Sequence, residues 1–373
     1  MTAPRSLRVL MTADPIGGVW TYACELIGAL AERRVEVVLA TMGAPLSAEQ
    51  RRAVRRLPNA LLAESALALE WMPEPWRDVD AAADWLRGLV QRHAPDVVHV
   101  NGFAHAAADL GAPVLCVAHS CVVTWIRAVR AVRGEDPGPE WDEYRRRTTR
   151  GLRAAREVVA PTGAILEAIL GAHGVARRGR VIPNGRTATA FPPAAKEPFV
   201  LAAGRLWDEA KGLAALDACA GSVRWPIHVA GPLTGPGGRD GEARPARVHA
   251  LGALEPEALA RWMGRASIFA APARYEPFGL TALEAALAGA TLVLGDLATL
   301  REVWGQTAVY IAPDDPPALA FALEALIRDP LRRGALAARA RARALALSPR
   351  RMAAAYRAVY DELAAAPRPE VFA

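Results

Sequence analysis

Ala273-Arg-Tyr-Glu-Pro-Phe-Gly-Leu-Thr-Ala-Leu-Glu284, continued by Ala285-Ala-Leu-Ala-Gly-Ala290, is the stretch on which the reading of this chain turns. Pro277 disfavours helix at the residue before it and Gly279 frees the backbone for a tight entry, so Tyr275 to Phe278 reads as a loop. Leu280, Leu283 and Leu287 recur at helical spacing, which predicts a helix from near Phe278 or Gly279 to near Gly289. Ile268-Phe-Ala-Ala-Pro272 before the loop and Thr291-Leu-Val-Leu-Gly-Asp296 after the helix read as short buried strands. The result is a strand–loop–helix–strand unit with Glu276 at the helix mouth and Glu284 inside its first turns.

That arrangement suits an anion. The N–H groups of Phe278, Gly279 and Leu280 are expected to be free at the helix N-terminus, where the dipole favours a phosphate. Glu284 is then placed to accept from vicinal hydroxyls such as a ribose, and Glu276 from a second set. A nucleotide-sugar carries both chemistries.

Working outward, the same β/α alternation fills the chain. Leu7–Met11 reads as a strand, Thr12–Gly18 as a loop and Val19–Leu30 as an amphipathic helix. Gly17-Gly18 does not make a G-x-G-x-x-G fingerprint. Val35–Ala40, Asp96–Asn101, Pro113–His119, Glu157–Pro161 and Arg180–Pro183 continue a first sheet of continuous apolar strands. Ligands gather beyond the carboxyl ends of such strands, which places Asn101, His119 and Ser120 at a cleft edge and His99 inside its strand. Thr187–Pro198, with three prolines, reads as a linker. Phe199–Ala203, Pro226–Ala230, Arg247–Leu251, Ile268–Ala271, Thr291–Leu294 and Val309–Ile311 then make a second sheet. Leu319–Leu347 is helical, Met352–Leu363 is a last amphipathic helix, and Gly231–Gly238 is a loop without a P-loop lysine.

Four segments, in order, resemble the signature of the retaining glycosyltransferases of family four. They are Gly17-Gly18, Val181-Ile-Pro-Asn-Gly185, Gly204-Arg-Leu-Trp-Asp-Glu-Ala-Lys-Gly212, and Glu276 separated by seven residues from Glu284. The resemblance implies a GT-B arrangement, with two Rossmann-like α/β domains facing each other across a cleft. Residues 1–196 would form the acceptor-side domain and 197–373 the donor domain, with the last helix, about 350–366, crossing back to the first. It implies hexose transfer, with retention, from a UDP-, GDP- or ADP-sugar to an acceptor hydroxyl on a small molecule, glycan or lipid-linked glycan. Catalytic roles fall to His119, Arg205, Lys211 and Glu276, and substrate binding to Gly17, Gly18, Asn184, Phe278, Gly279, Leu280 and Glu284. Ser120 stands where many relatives carry an acid.

No cofactor or metal is expected. Asp78-Val-Asp80 spells a D-x-D, but both acids sit at a predicted helix start, where capping and the dipole favour them. Neither Lys196 nor Lys211 lies in a context suited to a lysine-bound pyridoxal cofactor. An epimerase or other enzyme on the same fold, or a binding protein without turnover, remains an alternative that a donor-hydrolysis assay would separate.

Composition sets the remaining bounds. With 373 residues, 52% hydrophobic, the chain is long enough for about two cores. No apolar run reaches membrane-spanning length, there is no signal-peptide h-region, and the four scattered cysteines form no C-x-x-C. These features predict a cytoplasmic protein. Among 45 basic residues only Lys196 and Lys211 are lysine. Lys211 lies in a motif where a compact ammonium fits a phosphate, whereas Lys196 falls in the linker. Residues 125–193 carry 13 basic and 7 acidic side chains, matching the chain's whole net charge of +6. Arg127, Arg130, Arg133, Arg145–Arg147, Arg150, Arg153 and Arg156 carry it, with Trp125, Ile126, Val129 and Val132 as a candidate apolar face. Two readings stay open: a solvated helix face, or docking of an anionic acceptor or the inner face of an anionic membrane. Nothing in the pattern calls for nucleic acid.

Overall fold

The computed structural model describes residues 5–130, 134–235 and 245–365. Two parallel sheets account for all the strand pairing between these residues. The first contains β1 (Leu7–Ala13), β2 (Val35–Thr41), β3 (Ala60–Glu64), β4 (Val97–Val100), β5 (Val114–Val117), β6 (Glu157–Ala160) and β7 (Arg180–Val181), in the order β3-β2-β1-β4-β5-β6-β7. The second contains β8 (Glu197–Ala203), β9 (Ile227–Ala230), β10 (His249–Gly252), β11 (Ala266–Ala271), β12 (Thr291–Gly295) and β13 (Val309–Ile311), in the order β10-β9-β8-β11-β12-β13. Helices fill most of the connections between successive strands and cover the sheets. This explains why β4 and β5 are buried at every position and read as unbroken apolar runs.

Each sheet reverses its winding once. In the first the reversal falls between β1 and β4, and in the second between β8 and β11. Ligand crevices in doubly wound sheets open beyond the carboxyl ends of the strands at such a point.

Tertiary contacts divide the chain into two units. The described residues up to Arg127, Glu135–Gly185 and those from Pro349 onward make the first; Ala128–Gly134, where described, and Arg186–Ser348 make the second. In the first core, Tyr22, Leu26 and Leu30 of the Gly18–Ala31 helix pack with Met352, Tyr356, Val359 and Tyr360 of the Pro349–Ala365 helix. Arg357 ties that last helix down by donating to the carbonyls of Arg5 and Arg33. In the second, the Leu280–Leu287 helix buries Ala282 to Leu287 against β11 and β12.

Several elements depart from the sequence expectation for identifiable reasons. The units part at Gly185/Arg186, ahead of the expected division at 196/197, because Arg186 is held by the second unit through its N–H to the Leu347 carbonyl. Lys196 is no ordinary linker residue. Its Nζ donates to the carbonyls of Gly264 and Ala288, both at 2.7 Å, at the ends of the Pro256–Arg265 and Leu280–Leu287 helices. The expected helix 319–347 is two, Pro316–Arg328 and Pro330–Ala346, with Asp329 accepting from Arg332 N–H to start the second. The strand expected from Arg247 begins at His249, since the amides of Ala246, Arg247 and Val248 all donate to Asp217 Oδ1. Within the expected Gly231–Gly238 loop, residues 236–238 lie outside those described.

Candidate active site

In the second unit the sequence-predicted groups converge beyond β8 and β11, at the reversal of the sheet. Gly204-Arg205 leaves β8, and Lys211 ends a short 3-10 turn, Glu209–Lys211, which Asp208 caps by accepting from Ala210 N–H at 3.0 Å. Gly212 follows with φ 71°, and a Cβ there would lie 2.2 Å from the Pro272 carbonyl oxygen. Only glycine lets this loop lie so close to the exit of β11. Arg274 N–H then donates to the Ala210 carbonyl at 2.8 Å, joining the two loops.

This joining brings Lys211 Nζ to 2.8 Å from Glu276 Oε2. The other carboxylate oxygen accepts Gly279 N–H at 3.0 Å, and the Glu276 carbonyl accepts the Thr299 hydroxyl at 2.6 Å. The expectation of three free amides at the helix mouth is therefore corrected: Gly279, with φ 86°, turns its N–H back onto Glu276. The N–H groups of Phe278 and Leu280 carry no hydrogen bond among the described residues. Burial alone would raise the Glu276 carboxyl, but Lys211 and the Gly279 amide outweigh it and hold the group below its ordinary value. Phe278 itself is buried in the second core.

Arg205 is half-exposed, pairs with Asp208 at 3.1 Å and lies over the Trp207 ring, 5.6 Å from its centroid. Glu284 is buried in the helix, where its Oε1 lies 2.8 Å from Arg186 Nε. The Arg186 guanidinium also covers the Phe191 ring at 4.9 Å. Sequence reasoning missed Arg186. Its signal was its position directly after the Val181–Gly185 turn, but nothing local announces a partner 98 residues away. Asn184 is buried in the first unit, just before the division.

In the first unit the groups beyond β1, β4 and β5 form a second constellation. Gly17 caps the exposed start of the Gly18–Ala31 helix with φ 81°, and Asp14 Oδ1 accepts Ile16 N–H at 2.8 Å in the turn before it. His119 follows β5. Its Nε2 lies 2.8 Å from Asn101 Oδ1, and the Tyr22 ring meets it edge-on at 4.5 Å. Asn101 is itself fixed by Thr12, donating Nδ2–H to the Thr12 carbonyl at 2.6 Å and its backbone N–H to the Thr12 hydroxyl at 2.9 Å. Burial pushes both His119 and His99 down to about 3, so both rings are neutral at ordinary pH. Ser120 is exposed.

The D-x-D acids are engaged otherwise than by capping. Pro75 occupies the N-cap of the Trp76–His93 helix; Asp78 accepts from Ala68 N–H at 2.9 Å, and Asp80 pairs with Arg147 at 2.5 Å. No group of three or more His, Cys, Asp or Glu side chains is placed to hold a metal among the described residues. All four cysteines are free thiols, three of them buried.

The basic segment is less uniform than its composition suggests. On the Asp142–Ala154 helix, Arg145 pairs with Asp142, Arg146 with Glu143, and Arg147 with Glu143 and Asp80. Arg145, Arg146, Thr149, Arg150 and Arg153 line an open depression of about 650 Å³. Ile126 and Val129 are buried in the fold and do not form the expected apolar face; Val132 and Arg133 lie outside the described residues. No described helix is long and apolar enough to cross a membrane.

Two family models match the chain. Residues 16–188 match Glycosyltransferase Family 4, and residues 197–329 match Glycosyl transferases group 1. A glycogen synthase of Mycobacterium tuberculosis is 37% identical over 182 residues, covering 44% of this chain and 42% of that protein. The chain thus matches less than half the length of that relative. Among solved structures, sucrose-phosphate synthase of Thermosynechococcus elongatus superposes with a TM-score of 0.79 at 20% identity, covering 97% of this chain and 100% of that one. Anabaena HepE, in complex with UDP and glucose, gives 0.72 at 16% identity over 96% of this chain and 100% of its own.

Proposed function

We infer that this chain, which belongs to the GT-B glycosyltransferases of family-four type, moves a hexosyl group from a nucleoside-diphosphate sugar to an acceptor hydroxyl without a metal and with retention at the anomeric carbon. The observation that carries the donor assignment is the meeting of Arg205, Lys211, Glu276 and the start of the Leu280–Leu287 helix beyond β8 and β11. Retention rests on the family resemblance alone.

Lys211 and Arg205 supply the positive charge that a departing diphosphate needs. Both are already held in place, by Glu276 and by Asp208, so little reorganisation is needed when the donor arrives. The N–H groups of Phe278 and Leu280 and the helix dipole add to that charge. An ionised carboxylate has about four lone-pair positions. Glu276 uses one on Lys211 and one on Gly279, which leaves acceptor capacity for sugar hydroxyls. Glu284, paired with Arg186, takes the ribose. His119, as a neutral ring, contributes a hydrogen-bonding group to the sugar.

Because the similar HepE structure holds UDP and glucose, UDP-glucose is the first donor to test. Thermal-shift measurements against UDP, GDP, ADP and their sugars, followed by mass spectrometry of acceptor products, test the reading. Stabilisation by none of the nucleotides would overturn it. For the acceptor we favour an anionic one, bound at the arginine-lined depression of the Asp142–Ala154 helix, where Arg150 and Arg153 have no acidic partner among the described residues.

A further inference from the structure

We propose that Asn101 is a positioning residue that holds His119 as its Nε2–H tautomer, so that Nδ1 is left as an acceptor for a ligand hydroxyl. The tautomer follows from the hydrogen bonds around Asn101, and the link to turnover rests on the transfer reading above.

The amide of Asn101 has one orientation open to it. Its Nδ2 faces the Thr12 carbonyl at 2.6 Å, and exchanging the amide's oxygen and nitrogen would set two acceptor oxygens against each other at that distance. Oδ1 is therefore the atom that faces the two imidazoles, His119 Nε2 at 2.8 Å and His99 Nε2 at 3.2 Å. An amide oxygen only accepts, so both Nε2 atoms carry hydrogen.

The far side of His99 is compatible with this. Its Nδ1 lies 2.6 Å from the Tyr360 hydroxyl, which can donate to a ring nitrogen without hydrogen, and its Nε2 lies 3.3 Å from the Tyr22 hydroxyl, which can accept. The chain then runs from Tyr360 O–H to His99 Nδ1, and from His99 Nε2–H to Asn101 Oδ1, which also accepts His119 Nε2–H. Tyr360 lies on the last helix, so that helix takes part in fixing the network.

The groups facing the two rings are Tyr22 from the Gly18–Ala31 helix, Tyr356 and Tyr360 from the Pro349–Ala365 helix, and Asn101 after β4. No carboxylate contacts His119 among the described residues. His119 Nδ1 carries no hydrogen bond among them either. A ring so held accepts at Nδ1 and cannot donate there. It recognises a ligand O–H, and it discriminates against a phosphate or carboxylate oxygen at the same spot.

The test uses the full chain labelled with ¹⁵N-histidine, with the His119 signal assigned through His119→Gln. Expected in the wild type is an Nε2–H signature for His119 that does not titrate between about pH 5 and 8. Asn101→Asp, nearly isosteric, places a carboxylate on the ring and should raise its pKa toward or above about 6.5. Its activity with UDP-glucose should then gain an additional acid limb near that pH, above the one set by Glu276 in the wild type, as Nδ1 acquires hydrogen. An Nδ1–H signature or titration near 6.5 in the wild type would overturn the proposal. So would an Asn101→Asp protein with unchanged spectra and pH profile. If Asn101→Asp does not fold, the wild-type spectrum still decides. The spectra need no donor, so the expected spectra without sugar transfer would sink the transfer reading and leave the tautomer assignment standing.

Discussion

Lys211 Nζ lies 2.8 Å from Glu276 Oε2 although 65 residues separate them, and the ammonium helps to hold the carboxyl below its ordinary value. Each is only about one-fifth exposed, so solvent screens the pair weakly. Lys211→Met should therefore act twice. Nucleoside-diphosphate affinity should fall about ten- to a hundredfold, the loss of a charge-assisted contact of roughly 1.5–3 kcal/mol. Glu276, freed of its cation and still buried, should protonate at higher pH, so the acid limb of turnover moves up. Calorimetry with UDP and a pH–rate profile check the two parts. Unchanged affinity would remove Lys211 from the diphosphate site.

The difference between Lys211 and Lys196 shows what the sequence could and could not convey. The β/α alternation, Gly204–Gly212 and the Glu276–Glu284 spacing are local patterns, and the turn and helix of the two motifs form where expected, whereas β3 (Ala60–Glu64) gave no such signal. Lys196 was opaque because its meaning is two carbonyls, Gly264 and Ala288, that the chain reaches only 68 and 92 residues later. Arg186 was missed for the same reason. Gly279 shows a subtler limit: the helix start was legible, but not that Glu276 would curl back to occupy its N–H. The arginine segment misled by composition, since charge counts do not reveal that Asp80, Asp142 and Glu143 neutralise Arg145, Arg146 and Arg147.

Cations already present at the proposed donor site motivate a test of metal independence. Asp78 and Asp80 are committed to Ala68 N–H and Arg147, which leaves the D-x-D poorly placed to supply a ligand pair. Transfer should survive excess EDTA. Abolition by chelator with rescue by Mn²⁺ would move attention to Asp78 and Asp80.

The first unit should be acid-sensitive. His99 and His119 have folded-state values of about 3 against an ordinary 6.5, so between those limits the unfolded chain binds more protons. Stability is fully present above about pH 6.5 and is lost as pH falls toward 3, with a slope of up to about 1.4 kcal/mol per pH unit for each histidine. His99→Gln should flatten that slope in denaturant titrations at successive pH values. An equal slope in the variant would assign the acid loss to other groups.

The anionic-acceptor reading concerns Arg150 and Arg153, the arginines of the depression without acidic partners among the described residues. Replacing both with Gln should lower acceptor use and its salt sensitivity while leaving UDP affinity unchanged. Turnover with the true acceptor that is indifferent to the change would mark the depression as a solvated surface.

Glu276 and Glu284 should separate in their effects, because one sits in a loop turn and the other is buried in a helix beside a cation. Glu276→Gln keeps the size of the side chain and an amide oxygen that can still face Gly279 N–H, but it loses charge toward Lys211. Nucleotide binding should hold or tighten, since Lys211 is released from its carboxylate. Turnover should fall about ten- to a hundredfold as sugar orientation fails while charge develops at the anomeric carbon. Glu284→Gln instead leaves Arg186 without its counter-charge where the two side chains are 16% and 10% exposed. Breaking such a pair on one side costs about 3–5 kcal/mol, so Tm should drop along with affinity for UDP and UDP-glucose alike. Arg186→Met in the Glu284→Gln background should recover part of the stability, because neither charge is then left alone, but not the nucleotide affinity. Calorimetry with UDP, kinetics with the full donor and melting curves for the three proteins separate the roles. If Glu276→Gln is the variant that melts early and loses nucleotide, or if Arg186→Met restores affinity as well as stability, the assignment of Glu284 to the ribose is wrong even though the fold stands.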